Sequence, residues 1–237
     1  TFAAVTMTTV NDTLDELEET VTLDIASVEN GTISGGIQQR TLSLVDDDPP
    51  STVSLSVDRT EINEETGTTS AIVTAILNRA SGLSVTVTLL KSGLAKDGID
   101  YTLNGTIVVP SLSLSASVTL VAKSDVLSED SENMVIDIGP ITNGTELGEQ
   151  QVVVTLLDND TMPNITLSVT SANINEDGGA TATNVKATLS ALSGRDVTVT
   201  LGKSGNAIFG SDYTLAPTIT IKEGSLFGSI TLASVSD

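Results

Sequence analysis

The sequence predicts an all-β protein made of tandem, seven-stranded antiparallel β-sandwiches, and three observations predict it. Polarity alternates with period two in Val53-Ser54-Leu55-Ser56-Val57, Val85-Thr86-Val87-Thr88-Leu89, Leu112 through Leu120, and Ile165-Thr166-Leu167-Ser168-Val169, the pattern of strands with one buried face. Asp97-Gly98, Asn104-Gly105 and Asn143-Gly144 separate such runs with dipeptides that accept the backbone of a tight turn. The third observation is a long internal repeat. About seven short strands in each repeat of roughly 110 residues is the signature of a sandwich.

The repeat is read from matched segments. Ile62-Asn63-Glu64 recurs as Ile174-Asn175-Glu176, Thr86-Val87-Thr88-Leu89 as Thr198-Val199-Thr200-Leu201, Lys91-Ser92-Gly93 as Lys203-Ser204-Gly205, and Asp100-Tyr101-Thr102-Leu103 as Asp212-Tyr213-Thr214-Leu215. The offsets 174 − 62, 198 − 86, 203 − 91 and 212 − 100 are all 112, and no gap is needed from Asp46–Asp125 to Asp158–Asp237. An N-terminal partial copy matches at an offset of 113, with Asp12, Glu16, Glu19, Asp24 and Asn30-Gly31-Thr32 facing Asp125, Glu129, Glu132, Asp137 and Asn143-Gly144-Thr145.

Taken in order, residues 1–48 read as the C-terminal half of one unit, 49–160 as a complete unit, and 161–237 as the N-terminal part of a third. Asp12–Glu19 admits a helical reading, but its match at Asp125–Glu132 is too polar for a helix with a buried face, so an acidic loop is expected at both places. Tyr101 and Tyr213 are expected in the core or at a corner, with a hydroxyl bonded to backbone. Phe2, Phe209 and Phe227 are expected in the core. Pro49-Pro50 and Pro163 follow the acidic triplets at the unit junctions, where a fixed φ stiffens the hinge.

Composition narrows the chemistry. The 237 residues carry 31 acidic against 10 basic side chains, a formal charge of −21, and include no Cys, His or Trp. That excludes a Ser-His-Asp triad, a thiol nucleophile and the usual nitrogen and sulfur metal sites. It also argues against nucleic acid and anionic membrane as partners, both being polyanions. With 39% apolar residues and a mean hydropathy of +0.19, the chain is too hydrophobic for a solvated coil. No run of about 18 apolar residues exists to span a bilayer. The first residues carry no initiator Met and no signal-peptide core, so a segment of a longer protein is expected, its targeting signal elsewhere.

The acids fall at fixed phases of the repeat. Asp-x-x-x-Glu-x-x-Glu occurs as Asp12/Glu16/Glu19 and Asp125/Glu129/Glu132; a triplet closes two units as Asp46-Asp47-Asp48 and Asp158-Asn159-Asp160; single acids stand at Glu64 and Asp100, and again at Glu176 and Asp212. Loops at alternate strand ends of a sandwich gather at one pole. Seven carboxylates meeting there in the second unit (Glu64, Asp100, Asp125, Glu129, Glu132, Asp158 and Asp160) could not all stay ionised without cations. Oxygen donors in that number suit Ca²⁺ better than Mg²⁺.

Gly98-Ile99-Asp100-Tyr101 and Gly210-Ser211-Asp212-Tyr213, the Asp-x-x-x-Glu-x-x-Glu element and the closing Asp-Asp-Asp resemble Calx-beta domains. That family comprises immunoglobulin-like, calcium-binding β-sandwiches of sodium–calcium exchangers, integrin β4 and large bacterial surface proteins. The resemblance runs over essentially the whole chain. It implies calcium ligands at Glu64, Asp100, Asp125, Glu129, Glu132, Asp158, Asn159 and Asp160 in the second unit. The matching positions are Asp12, Glu16, Glu19, Asp46, Asp47 and Asp48 in the first unit and Glu176, Asp212 and Asp237 in the third. Two departures stand out: Lys123-Ser124 precedes Asp125 where further Asp residues are common, and Asn159 offers an oxygen without charge. Weaker or fewer ions are expected in the second unit than in the first.

The function expected on this reading is a calcium-stiffened stalk in an extracellular or cell-surface, adhesin-like protein engaged in cell adhesion or communication. Its partners would be neighbouring units of the same chain, with head-to-tail self-association through the split terminal units as a further expectation. A calcium-sensing pair like that of the exchangers and a metal-independent spacer are the alternatives. An enzyme is not expected, because nothing supplies the aromatic subsites or apolar pocket that paired carboxylates need for glycoside chemistry.

Overall fold

The computed structural model describes residues 2–36, 38–179 and 181–236. Among them every regular element is a strand, in agreement with the all-β sandwich expected. The chain gathers into two compact units. The first comprises the N-terminal segment through Thr60 with Ser70–Val121 and Met134–Val154; the second comprises Glu61–Thr69, Ala122–Asn133 and the segment from Thr155 onward.

In the first unit β1 (Glu19–Leu23) pairs antiparallel with β2 (Arg40–Leu44) as a two-stranded ladder. Residues 12–18 before β1 are irregular, so the acidic loop and not the helix is what forms there. Residues 49–160 contain β3 (Thr52–Val57), β4 (Glu61–Asn63), β5 (Ser70–Leu77), β6 (Val85–Gly93), β7 (Tyr101–Thr102), β8 (Thr106–Val109), β9 (Ser115–Ala122), β10 (Glu132–Thr142), β11 (Thr145–Glu146) and β12 (Gln151–Leu157). They form two five-stranded sheets, ordered β11-β3-β5-β9-β7 and β4-β12-β10-β6-β8.

Ten segments make seven strands because three strands each break and change sheet: β3/β4, β7/β8 and β11/β12. Four of those pieces, β4, β8, β11 and β7, are the sheet edges, so the edges are short and stitched to the opposite layer, which blunts them against unwanted pairing. The core of the first unit alternates as the sequence does. Val53, Val73 and Leu120 from one sheet meet Val85, Val87, Ile107, Met134 and Ile136 from the other, all essentially buried, with Tyr101 among them. Register slips between Ile138 and Ile141, where Gly139-Pro140 stands in β10 and proline has no N–H for the ladder.

The loop before β7, which carries Asp100, is braced by its neighbour Asp97. Lys91 pairs with Asp97 at 2.6 Å, and the Asp97 carboxylate also accepts the Leu103 N–H at 3.2 Å. These bonds, the Lys91 contact foremost, hold Asp97 below the usual carboxylate range. Gly98 takes φ of 85°, a conformation that suits glycine, and Gly210 repeats it at 90°. In the third copy Phe209 replaces Asp97, and Lys203 keeps the lysine's place by sitting 3.3 Å from the Phe209 ring centre.

In the second unit β13 (Ile165–Val169), β14 (Ala182–Leu189), β16 (Tyr213–Leu215) and β18 (Phe227–Ser234) form a sheet ordered β13-β14-β18-β16. β15 (Val197–Thr200) pairs with β17 (Thr218–Ile221). Val185, Ala187, Leu189, Ile219 and Ile221 are its buried core. The three phenylalanines depart from expectation: Phe2, Phe209 and Phe227 are 93%, 54% and 55% exposed. Register explains Phe227, whose repeat partner Ser115 also faces outward; Lys186 covers its ring from 3.9 Å.

Candidate metal centre

The centre lies within the second unit and begins with a parallel pairing. β4 and β12 run parallel with Ile62 opposite Leu156 and Asn63 opposite Leu157, so both strands leave the sheet at the same end. The next residues are Glu64 and Asp158. The Glu64 N–H donates to the Leu157 carbonyl at 3.2 Å, which extends the pairing one step past the strands. Residues distant in sequence thereby become neighbours. Asp160 is turned back onto them, its N–H donating to Asp158 Oδ1 at 3.1 Å. One carboxylate oxygen from each of Glu64, Asp158 and Asp160 lies within 4.8 Å of the others.

The loop between β9 and β10 closes onto this group. Its turn is set by the Leu127 N–H donating to Asp125 Oδ1 at 2.7 Å, and the Glu129 N–H then donates to Asp158 Oδ2 at 3.0 Å. Glu132 heads β10, half-buried. Glu64 is only 6% exposed and its Oε2 is buried without a hydrogen-bond partner among the described residues; the same holds for Asp160 Oδ2. Burial, reinforced by the charges of Asp125, Asp158, Glu129 and Asp160, pushes the Glu64 carboxyl up from 4.5 to about 7. Burial first, then Asp158, Glu65 and Asp125, also raises Asp160.

An anionic oxygen buried among anions with no donor facing it is unstable alone, and a cation removes the penalty. The donors are all oxygen and the side chains carry net negative charge. This is the chemistry of a hard divalent ion, and the residues fit calcium.

The other expected ligands are placed as follows. Asn159 turns its Oδ1 to the Glu65 N–H at 3.3 Å, so its oxygen supports the loop. Asp100, of the same repeat, lies in the first of the two compact units, half-buried, where its Oδ2 accepts the Lys96 N–H at 2.6 Å. In the first copy the same two bonds recur: Leu14 N–H to Asp12 Oδ1 at 2.9 Å, and Glu16 N–H to Asp46 Oδ2 at 3.1 Å. Asp12, Glu16, Glu19, Asp46, Asp47 and Asp48 line one cleft of about 170 Å³. Burial raises Glu16, with Asp12, Glu19 and Asp46 adding; burial also raises Asp48, with Asp46 and Asp47 adding and Arg79 opposing. In the third copy Glu176 and Asp212 line another cleft together with Lys203. Asp212 repeats the role of Asp100, accepting the Ile208 N–H at 2.7 Å. Asp237 lies outside the described residues.

Sequence reasoning missed Glu65. Its carboxylate accepts a hydrogen bond from Ser124 Oγ and its charge acts on Asp160. The repeat held the signal, because Asp177 and Ser236 stand 112 residues on and make the same pair at 2.6 Å.

No protein-family model matches the chain, and no curated protein matches it in sequence. Among solved structures it is similar to the apo form of the Calx CBD1 domain, at 16% identity and a TM-score of 0.38 over 46% of this chain and 99% of that one. It is similar also to the calcium binding domain CBD12 of CALX1.1, at 15% identity and 0.38 over 75% and 73%. The E. coli chaperone DraB matches at 11% identity and 0.31 over 77% and 85%. The fold assigned above rests on this chain's own strands and sheets, and the chemistry of the centre on its own side chains.

Proposed function

We propose that this chain is a calcium-binding β-sandwich repeat segment whose metal sites stiffen a stalk in an extracellular or cell-surface protein. The observation that carries the calcium reading is Glu64: a 94%-hidden carboxylate (6% exposed) with an unpartnered Oε2 beside Asp158 and Asp160. The recurrence of the Glu129–Asp158 bond as Glu16–Asp46 supports a designed feature over a solvated acidic surface. Support for a stalk comes from the placing of the acids beside Asp48-Pro49-Pro50 and Asp160-Thr161-Met162-Pro163, where one unit of the repeat gives way to the next. The module binds and does no chemistry of its own.

The role of the ion is to neutralise Glu64, Asp158 and Asp160 and to fix the loops that carry them. Thermal unfolding with calcium, with magnesium and with chelator tests this. Calcium is expected to raise the melting temperature by several degrees, since a ligand at 100 times its Kd adds about 2.7 kcal/mol, and magnesium to do less. Melting that is indifferent to all three additions contradicts the proposal.

A further inference from the structure

The metal loop of each copy is seated on a Ser-Gly loop of the following copy, and the seating occurs twice in the same form. In the second unit the Gly194 N–H donates to the Ser128 carbonyl at 3.1 Å, and Ser128 and Ser193, 2% and 4% exposed, form a parallel bridge. In the first unit the Gly82 N–H donates to the Asp15 carbonyl at 3.1 Å. The offsets are those of the repeat: 194 − 82 is 112 and 128 − 15 is 113. Each Ser-Gly loop is itself braced: Leu83 N–H donates to Ser81 Oγ at 3.0 Å, and Arg195 N–H donates to Ser193 Oγ at 3.1 Å. A turn farther on binds it too, through Leu112 N–H to the Ser81 carbonyl at 2.8 Å and Gly224 N–H to the Ser193 carbonyl at 2.9 Å.

The glycine is there for space. Neither Gly82 nor Gly194 has a positive φ, so the backbone would accept alanine at both. A Cβ at 194, however, would stand 2.5 Å from Glu129 Cγ and 2.7 Å from its Cδ, and one at 82 would stand 2.6 Å from Glu16 Cγ. Glu129 and Glu16 are repeat partners, and each donates its N–H to the first acid of the closing triplet. The side chain that an added Cβ would displace therefore belongs, in both copies, to the residue whose N–H is tied to the closing triplet.

We infer that Gly194 is a positioning residue for the metal centre of the preceding copy: by leaving room for the Glu129 side chain, it holds the 125–132 loop closed on Asp158. Gly82 does the same for Glu16 and Asp46. Seating of one copy on the next and metal binding by the first are then one event, which deepens and rests on the calcium reading. The two joints differ in flavour. Asp130 pairs with Arg195 in the second, whereas Leu17 and Leu83 occupy those positions in the first.

The test is calorimetric titration of the intact chain with CaCl₂, as wild type, Gly194→Ala, Glu129→Ala and the double variant, with melting in chelator alongside. Gly194→Ala is expected to weaken calcium binding about 10–100-fold, as loss of a ligand-orienting contact does. In the Glu129→Ala background, where nothing is left to displace, it should weaken binding no further. Gly82→Ala should disturb a separate set of binding events. If Gly194→Ala alone fails to fold, restoration of folding by adding Glu129→Ala supports the inference and failure to restore it overturns it. Wild-type affinity in Gly194→Ala, or an undiminished loss in the Glu129→Ala background, also overturns it while leaving the calcium reading standing. A wild type that takes up no calcium overturns that reading and this inference with it.

Discussion

Glu64 carries an energetic cost in the metal-free protein, and its sign can be worked out. Its folded-state value of about 7 lies above the ordinary 4.5, so the folded state holds this proton more tightly than the unfolded chain does. Its contribution to stability is present below about pH 4.5 and is lost as pH rises to about 7, on the order of 3 kcal/mol in all. Asp160, also raised, acts in the same sense. Asp97 and Asp58, held low by Lys91 and by the Ile72 N–H respectively, lose their contribution only as pH falls below the ordinary carboxylate range, outside this window. Metal-free melting temperature should therefore fall between pH 5 and 7.5, and Glu64→Gln should flatten that fall and raise the metal-free melting temperature at pH 8. The same variant should bind calcium at least tenfold more weakly. A metal-free protein that gains stability over this range would count against the burial of an anion at Glu64. The acids themselves were legible in the sequence because they recur at one phase of the repeat. What Asn159 does was not, since it is decided by a contact with backbone that no spacing records, whereas the Glu65–Ser124 pair is marked in the sequence by its repeat counterpart Asp177–Ser236.

The element on which the centre depends is β4, three residues long and paired parallel to β12. Ile62, 1% exposed, anchors it in the core, and its neighbours in sequence are polar. Ile62→Ala should cost about 2–5 kcal/mol by cavity formation, and should weaken calcium binding because the register that sets Glu64 beside Asp158 is loosened. Gly98→Ala is the contrasting case. No atom stands within 4 Å of its added Cβ, but φ of 85° makes the backbone pay about 1–2 kcal/mol, read as a lower melting temperature in chelator. Alternation made β3, β6, β9 and β13 readable. It could not reveal β4, too short to show a period, nor the breaks by which β3/β4, β7/β8 and β11/β12 change sheet. Those follow from closing two layers around one core. Phe227 faces outward for a related reason: the register it shares with its repeat partner Ser115, and not its hydrophobicity, sets its side of the strand.

For the whole molecule, a formal charge of −21 is a liability that cations held by the carboxylate clusters would relieve. If the ions stiffen the repeat, small-angle scattering should show a longer, more persistent particle with calcium and a looser one with chelator; a sensor would instead change shape over a narrow micromolar range and a spacer would not respond. Chain-to-chain completion of the split terminal units would appear as a concentration-dependent mass by light scattering, and a constant monomer mass at high concentration would contradict it. All of these readings stand on calcium entering the Glu64–Asp158–Asp160 group. Calorimetric titration of the intact chain with CaCl₂, beside a Glu64→Gln/Asp158→Asn variant, addresses that most directly. The account predicts saturable binding to the wild type and loss of at least one binding event in the variant. No saturable binding, or titrations that coincide, would contradict it.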